Sequence, residues 1–367
     1  MLLGCGRREP TPAPEARDER RSSTPSAFDL VPTAGGAALV WAGGMPPALH
    51  LEPLDAAGHV LRHATSTLAS GEGVADVAVV ARGGAHVIAW SEAAAGERRL
   101  RAAWVPESGP ARRFELGAVG SDAPVARGGV ALAASGQGAR LFARGGPTAC
   151  AAASAAPCRA FQFFAIEPDQ ARPLGLALAV PSPCASQAAQ LVPGVSGRAL
   201  PGGTAEPFEY AVCSAARDSP ALTVFSIRPD PAYAMAEEVF AGCTPLGAAR
   251  FAGAAAFVAL CGSERRVARL ARDAAGLSIE VLEPRGLVCG AAGANVRLGA
   301  GWLRLSEPMG GLELLLGEDL APPGSRAVWT GSALLVARPT AAGELLLQRH
   351  ACRGTALVEL GAEDAGP

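Results

Sequence analysis

The sequence predicts an all-β repeat protein, and two features carry that prediction. The first is a recurring unit in which two short apolar runs meet at glycine, as in DLVPTAGGAALVWAGG around Gly35–Gly36 and DVAVVARGGAHVIAW around Gly83–Gly84. The second is composition, because 45 Gly and 30 Pro among 367 residues imply many turns. The chain is 49% hydrophobic but only 5% aromatic, so its core must consist mainly of aliphatic side chains.

Each unit begins with a predicted β-hairpin. The apolar runs are rich in Val, Leu and Ala and are too short for helices, so they are expected to be strands. Glycine at their junction adopts the positive φ that a tight hairpin turn needs. After Gly35–Gly36 and Gly83–Gly84, the predicted turns recur at Gly128–Gly129, Gly194, Gly253, Gly299 and Gly331.

A second marker, proline, follows later in each of the first four units. Apolar runs end at Pro53, Pro106, Pro168 and Pro229, and another short run follows each. Proline cannot donate to a β-ladder, so it belongs at the end of a strand. Each unit therefore reads as four antiparallel strands, with the first hairpin turning at glycine and the last turning near proline.

Four strands in roughly 45 residues, repeated about seven times, is the arithmetic of a β-propeller. The prediction is a propeller of about seven four-stranded blades over residues 28–361, followed by a tail at 362–367. Six or eight blades, a pair of β-sandwiches and a β-helix are the alternatives. The stretch resembles exported bacterial β-propellers, and its Gly-Gly units resemble Kelch repeats, although the Tyr and Trp of a Kelch motif are not at regular positions. This likeness assigns no functional residue.

The first residues, Met1-Leu2-Leu3-Gly4-Cys5, end in a sequence that resembles a lipobox. The resemblance implies that residues 1–5 are the remnant of a signal peptide and that Cys5 carries a lipid anchor. No charged and apolar leader precedes the match, so either translation starts upstream of Met1 or the match is accidental. Residues 6–27 are polar, charged and rich in proline, which predicts a disordered tether between anchor and domain.

The cysteines favour an oxidising compartment. Without Cys5, an even number remains, as a disulfide framework requires. Two candidate pairs, Cys184–Cys213 and Cys243–Cys261, bracket predicted hairpins. Cys150–Cys158 would close a small loop, and Cys289–Cys352 is the pair that remains. Disulfides persist outside the cytosol, so this interpretation predicts export; the alternative is a set of free thiols in a cytosolic protein.

Three carboxylates form the candidate ligand site. Asp29, Asp76 and Asp122 each begin the first strand of their unit. If first strands line a central channel, these side chains would lie near one channel mouth and could bind a cation or a polar ligand. The alternative is structural, since Asp at a strand start often bonds the preceding turn.

Other chemistry-bearing residues are predicted to be structural. Trp41 and Trp90 occupy equivalent second strands and are expected to be core rather than exposed sugar-stacking platforms. The five histidines are expected to be exposed polar residues. No zincin, nucleophile-elbow, phosphate-loop or dinucleotide motif is present, so no catalytic residue, metal or cofactor is predicted.

These observations predict a non-catalytic, lipid-tethered binding or scaffold protein of the envelope, facing the periplasm or held on the outer membrane. Its ligand would be an unidentified protein or glycan. The net charge of −2 argues against nucleic acid, and no apolar run is long enough for a membrane-spanning helix. The alternatives are a structural subunit of an envelope assembly and a carbohydrate-active enzyme with carboxylates at the channel mouth.

Overall fold

The computed structural model confirms the all-β prediction. It describes residues 19–20, 27–70, 73–94, 97–119, 130–135, 138–148, 158–181, 190–192, 209–215, 221–229, 232–239, 243–251, 254–273, 276–282, 284–285, 293–297, 302–306, 312–314, 325–340, 344–354 and 356–360. Within these ranges the strands form seven separate sheets, which we number I to VII in chain order.

The first strand, β1, spans Glu19–Arg20 and belongs to the last sheet. Sheets I, II and III follow as antiparallel meanders whose four strands pair in chain order. Sheet I contains β2 (Ala27–Thr33), β3 (Gly36–Gly43), β4 (Ala48–Asp55) and β5 (Ser66–Ser70). Sheet II contains β6 (Val74–Arg82), β7 (Ala85–Ala94), β8 (Glu97–Pro106) and β9 (Arg112–Val119). Sheet III contains β10 (Val130–Ser135), β11 (Gly138–Thr148), β12 (Cys158–Ile166) and β13 (Ala171–Pro181).

Sheets IV and V repeat this meander. Sheet IV contains β14 (Gln190–Val192), β15 (Glu209–Ala215), β16 (Ala221–Pro229) and β17 (Ala232–Val239). Sheet V contains β18 (Thr244–Phe251), β19 (Ala254–Cys261), β20 (Glu264–Asp273) and β21 (Gly276–Leu282). A single turn of 3₁₀-helix, Arg62–Ala64, lies in the connection between β4 and β5.

The last two sheets depart from the simple meander. Sheet VI contains β22 (Pro284–Arg285), β23 (Gly293–Arg297), β24 (Trp302–Ser306) and β25 (Leu312–Leu314), and β22 pairs with β25 in parallel. Sheet VII contains β26 (Arg326–Trp329), β27 (Ala333–Pro339), β28 (Leu345–Arg353) and β29 (Ala356–Glu359). Both β1 and β29 pair with the outer edge of β28.

Glycine forms the first hairpin turn of sheet II where the sequence predicts it. Gly83 and Gly84 link β6 to β7 with φ of 56° and 70°, a conformation that favours glycine. Gly331, with φ of 102°, does the same between β26 and β27. The turn predicted at Gly128–Gly129 is wrong, because β10 begins at Val130 and its hairpin turn follows Ser135. Glycine pairs are common in this chain, so a pair alone did not fix the turn.

Three apolar clusters lie between neighbouring sheets, and a fourth consists of sheet VII residues that include Trp329 and Leu334. One cluster joins sheets I and II and includes Leu49, Leu68, Ile88 and Trp90. Corresponding clusters join sheets II and III and sheets VII and I. Because alternate residues of a strand point to opposite faces, one central strand contributes to two clusters. Residues of β3 accordingly pack against both sheet II and sheet VII.

The first strands of consecutive sheets contact one another. β2 contacts β6, β6 contacts β10, β10 contacts β14, and β14 contacts β18. In sheet VI the corresponding edge strand is the second one, β23: it contacts β18 and β26, and β26 contacts β2. Sheet VII therefore meets sheet I, although the two lie at opposite ends of the sequence.

Candidate functional site

The first strands of sheets I, II and III are edge strands. The backbone amides on the unpaired side of such a strand have no ladder partner in their own sheet. One such amide is that of Val79, in β6. Its N–H donates a hydrogen bond of 2.9 Å to the carboxylate of Asp29, in β2. The bond joins sheet I to sheet II.

Asp76 performs the same task one sheet further on. Its Oδ2 accepts a hydrogen bond from the backbone N–H of Val130, in β10, at 2.7 Å, and its Oδ1 accepts one from Val77 N–H at 3.0 Å. The guanidinium of Arg98 bonds Ser91 Oγ at 3.3 Å. Burial lowers the pKa of Arg98, and the nearby Asp76 charge acts in the opposite direction.

Arg326, the first residue of β26, extends the network to sheet VII. Its Nε lies 3.5 Å from Asp29 Oδ1, and its guanidinium lies 5.8 Å from the centroid of the Phe28 ring. A cation over an aromatic face is electrostatically favourable. Asp29, in sheet I, consequently contacts groups of both sheet II and sheet VII.

The environment of these two carboxylates suits structural bonding. Asp29 is 4% exposed and Asp76 is 6% exposed, and both accept charge-assisted bonds from backbone amides of the next sheet. Asp76 also accepts the Val77 N–H of its own strand. Asp122 lies outside the described residues, so a ligand site formed by all three aspartates stays a prediction. We call Asp29, Asp76 and Arg326 the inter-sheet polar network.

The two tryptophans are core residues, as predicted. Trp41 is 7% exposed and stacks on His50 with ring centroids 4.5 Å apart. Trp90 is 1% exposed, and its indole N–H donates to Glu92 Oε2 at 3.1 Å. Glu92 Oε1 also pairs with Arg101 Nε at 2.9 Å. Neither indole presents a face for stacking on a sugar.

The expectation that all histidines are exposed is wrong for His86 and His350. Both are buried, and burial lowers the pKa of each imidazole, partly opposed by the charges of Glu107 and Glu359 respectively. His50 is half-buried, and its pKa is also lowered by burial. These three histidines lie in strands among apolar neighbours, and their spacing in the sequence does not indicate that they are buried.

A second contact between sheets VII and I lies in the connection from β4 to β5, which sequence analysis did not single out. Asp55 Oδ1 accepts the backbone N–H of His59 at 2.8 Å, and Asp55 Oδ2 lies 3.1 Å from His59 Nδ1. Burial raises the pKa of Asp55, but the bonds from His59 outweigh burial and hold it below the usual value. These bonds fix a compact loop.

That loop docks on the turn between β26 and β27. The Ala56 carbonyl accepts hydrogen bonds from Thr330 Oγ1 at 2.6 Å and from Ser332 Oγ at 2.8 Å. Gly58 has φ of 86°, and a Cβ at this position would lie 2.4 Å from Leu335 Cδ2. A larger residue here would have to adopt a disfavoured φ and displace the end of the Leu335 side chain. We call residues 55–59, docked on Thr330 and Ser332, the closing loop.

The structure contains the disulfide predicted between Cys243 and Cys261, whose Cα atoms are 4.4 Å apart. The bond joins the start of β18 to the end of β19, so it closes one hairpin. Cys352 is also disulfide-bonded. Four of the other predicted sites, namely Cys5, Cys150, Cys184 and Cys289, lie outside the described residues. Cys158 begins β12 and Cys213 lies in β15.

In the described part of the chain, no group of three or more His, Cys, Asp or Glu side chains is placed to hold a metal ion. No helix in the same ranges is long and apolar enough to cross a membrane.

No protein-family model matches the chain, and no curated protein matches it. Solved structures give distant likenesses. A protein of Bacteroides uniformis, described as a candidate 6-phosphogluconolactonase, is 14% identical with a TM-score of 0.38, covering 93% of this chain and 84% of that one. The hemagglutinin-neuraminidase of parainfluenza virus 5, solved with the ligand DANA, is 10% identical with a TM-score of 0.39, covering 97% and 93%.

A bifunctional GH43-CE protein of Bacteroides eggerthii is 10% identical with a TM-score of 0.34. The alignment covers 94% of this chain but spans only 54% of that protein. Identities and TM-scores this low transfer no activity, ligand or residue role to the present chain.

Proposed function

We propose that this chain is a seven-bladed β-propeller acting as a non-catalytic binding or scaffold protein, exported and tethered to the envelope through a lipid on Cys5. The propeller proposal is supported by the series of first-strand contacts that returns from β26 to β2. Blades arranged around a propeller axis would make contacts of this kind between the edge strands of successive sheets.

The observation that carries the non-catalytic proposal is the bonding of Asp29 and Asp76. A glycosidase needs two carboxyl groups that face one substrate, one protonated and one ionised. Asp29 and Asp76 are instead buried against backbone amides of the adjacent sheets, Val79 and Val130. Their negative charge stabilises the contact between sheets, so we place ligand recognition on the loops between strands and not on these acids.

Export is supported by the disulfides. Cys243–Cys261 and the bonded Cys352 are features expected outside the reducing cytosol. In the chain-entropy view, a link across 18 residues stabilises the fold by about 3 kcal/mol. A protein in the periplasm or on the outer membrane would keep this stabilisation.

The intact mass of the protein from its native cells, before and after reduction and alkylation, tests this proposal. We expect a mass that begins at Cys5 and includes acyl chains, with no alkylation until the disulfides are reduced. A mass that retains an unmodified Met1, together with cysteines that alkylate in the native state, contradicts export and anchoring. Glycosidase activity that is lost in Asp29→Asn but not in a correctly folded surface variant would contradict the non-catalytic assignment and favour the carbohydrate-active alternative.

A further inference from the structure

The outer edge of sheet VII is built from both ends of the chain. β29 pairs with the later part of β28, from His350 to Arg353, and β1 pairs with its start, at Leu345 and Leu346. After β29, the backbone N–H of Leu360 still donates to Arg349 O at 2.8 Å. β29 and β1 therefore act as one composite outer strand that is interrupted once.

At this interruption, the start of β1 and the end of β29 lie close together. Leu360 lies opposite Arg349, and Glu19 lies opposite Leu346. Three residues along β28 correspond to roughly 10 Å. The segment that precedes β1 and the segment that follows Leu360 therefore leave the domain close together, at the middle of the outer edge of sheet VII.

The pairing of β1 also shortens the tether. If the tether ran to the start of β2 at Ala27, it would comprise residues 6–26. With Glu19–Arg20 held in sheet VII, only residues 6–18 separate Cys5 from the folded domain. That segment spans about 45 Å when fully extended and has a root-mean-square span of roughly 20 Å as a coil.

We infer that the outer edge of sheet VII is the side of the domain held toward the lipid surface, with β1 as the fixed point of attachment. The inference deepens the proposed function and rests on its lipid anchor at Cys5. A short tether that leaves from one edge restricts rotation of the domain. It keeps that edge near the bilayer and leaves the distant sheets available to a partner.

The surface charge of this edge also indicates that the tether, and not lipid binding, restricts rotation of the domain. The exposed part of this edge carries both signs, including Arg353 and Glu359. Such a surface is not the cluster of cations that binds anionic headgroups by itself. The orientation should therefore depend on where the anchor is attached and not on the lipid charge.

The test uses chemical anchoring of the full chain, so it does not depend on natural lipidation. Cys5 is coupled to a maleimide lipid in phosphatidylcholine vesicles that also contain a lipid with a photoreactive headgroup. After illumination, cross-linked peptides are identified by mass spectrometry. The matched control is Cys5→Ser with Ser108→Cys, which moves the anchor to the exposed turn between β8 and β9 of sheet II.

We expect cross-links in residues 345–367 to exceed those in residues 107–119 by about fivefold or more in the Cys5-anchored protein, and the ratio to reverse in the control. Replacing both Glu19 and Arg20 by Pro should release β1 and lower the ratio toward one, because proline cannot donate to the ladder. Equal cross-linking of both regions in the Cys5-anchored protein would overturn the inference. An unchanged ratio in the double-proline variant would overturn the role of β1. Natural lipidation is judged separately, by the mass of the native protein.

Discussion

The contact between sheets I and II and the contact between sheets VII and I differ in how they are held. The first joins consecutive units by a large apolar cluster and by the buried bond from Val79 N–H to Asp29. The second joins units far apart in sequence. It has its own apolar cluster and adds the Arg326–Asp29 pair and the closing loop.

The difference teaches where directional bonding is needed. Consecutive sheets are kept near one another by the short segment of chain between them, so apolar burial, supplemented by the bonds of Asp29 and Asp76, can hold the contact. Sheets at opposite ends of the chain lose more conformational entropy when they meet, since the loop that closes is long. Hydrogen bonds with fixed geometry help to select one register there. The variants below test this difference, from the largest expected effect to the smallest.

Asp29→Ala should have the largest effect because Asp29 belongs to both contacts. The substitution removes the carboxylate that accepts the Val79 N–H and pairs with Arg326. We expect the free energy of unfolding to fall by about 3 kcal/mol, as for the loss of one partner of a buried charged pair. Denaturant unfolding measures it. A matched variant, Asp76→Ala, removes the bonds from Val130 and Val77 but no contact to sheet VII, and should cost less; an equal cost would contradict the double role of Asp29.

Gly58→Ala should disturb the closing loop alone. The added Cβ would overlap Leu335 Cδ2 at 2.4 Å, and alanine disfavours the positive φ at this position. We expect a loss of about 2 kcal/mol. The control is Gly83→Ala, which also has a positive φ but no atom within 4 Å of the new Cβ. Thermal unfolding of the two variants should separate backbone strain at positive φ from steric overlap of the added Cβ. Equal losses of stability in the two variants would argue against tight packing at Gly58.

Thr330→Val should weaken the same contact slightly. It removes the hydroxyl that donates to the Ala56 carbonyl and accepts the backbone N–H of Ala333 at 3.0 Å, but it keeps the side-chain volume. Because Ser332 Oγ still bonds that carbonyl, the loss should be about 1 kcal/mol. Adding Ser332→Ala leaves the carbonyl without either hydroxyl. In a double-mutant cycle the paired loss should exceed the sum of the single losses, whereas simple additivity would contradict a shared acceptor.

Acidification should produce a broad and shallow loss of stability. Burial lowers the pKa of His50, His86 and His350 below the ordinary value of 6.5, so the unfolded chain binds more protons than the folded one in acid. Their contribution is fully present above pH 6.5 and is lost as the pH falls through the lowered values. Unfolding at a series of pH values measures this, and His86→Gln should flatten the profile. A stability that rises between pH 7 and 5 would contradict the sign.

Local chemistry explains what the sequence predicted well. Gly83–Gly84 lies between two apolar runs, Pro106 ends a strand, and Cys243 and Cys261 end paired strands of one hairpin. Each of these features depends on neighbours within a short stretch of chain. The all-β class and the four-stranded unit follow from such features.

The rest depends on how separate sheets stack. The partner of Asp29 is an amide 50 residues away, and the partner of Thr330 is a carbonyl 274 residues away. No periodicity in the sequence encodes those distances. The burial of His86 and His350 likewise depends on the adjoining strands. A local pattern could therefore place the aspartates at strand starts but could not identify the groups that they bind.

Amide hydrogen exchange tests the central claim that buried aspartates join adjacent sheets. Val79 and Val130 are followed in the unmodified protein, in Asp29→Ala and in Asp76→Ala under conditions where all three are folded. We expect Asp29→Ala to accelerate exchange mainly at Val79, and Asp76→Ala mainly at Val130, since each loses its own acceptor. Exchange at both amides that is unchanged in both variants, or raised equally by either, would contradict the claim.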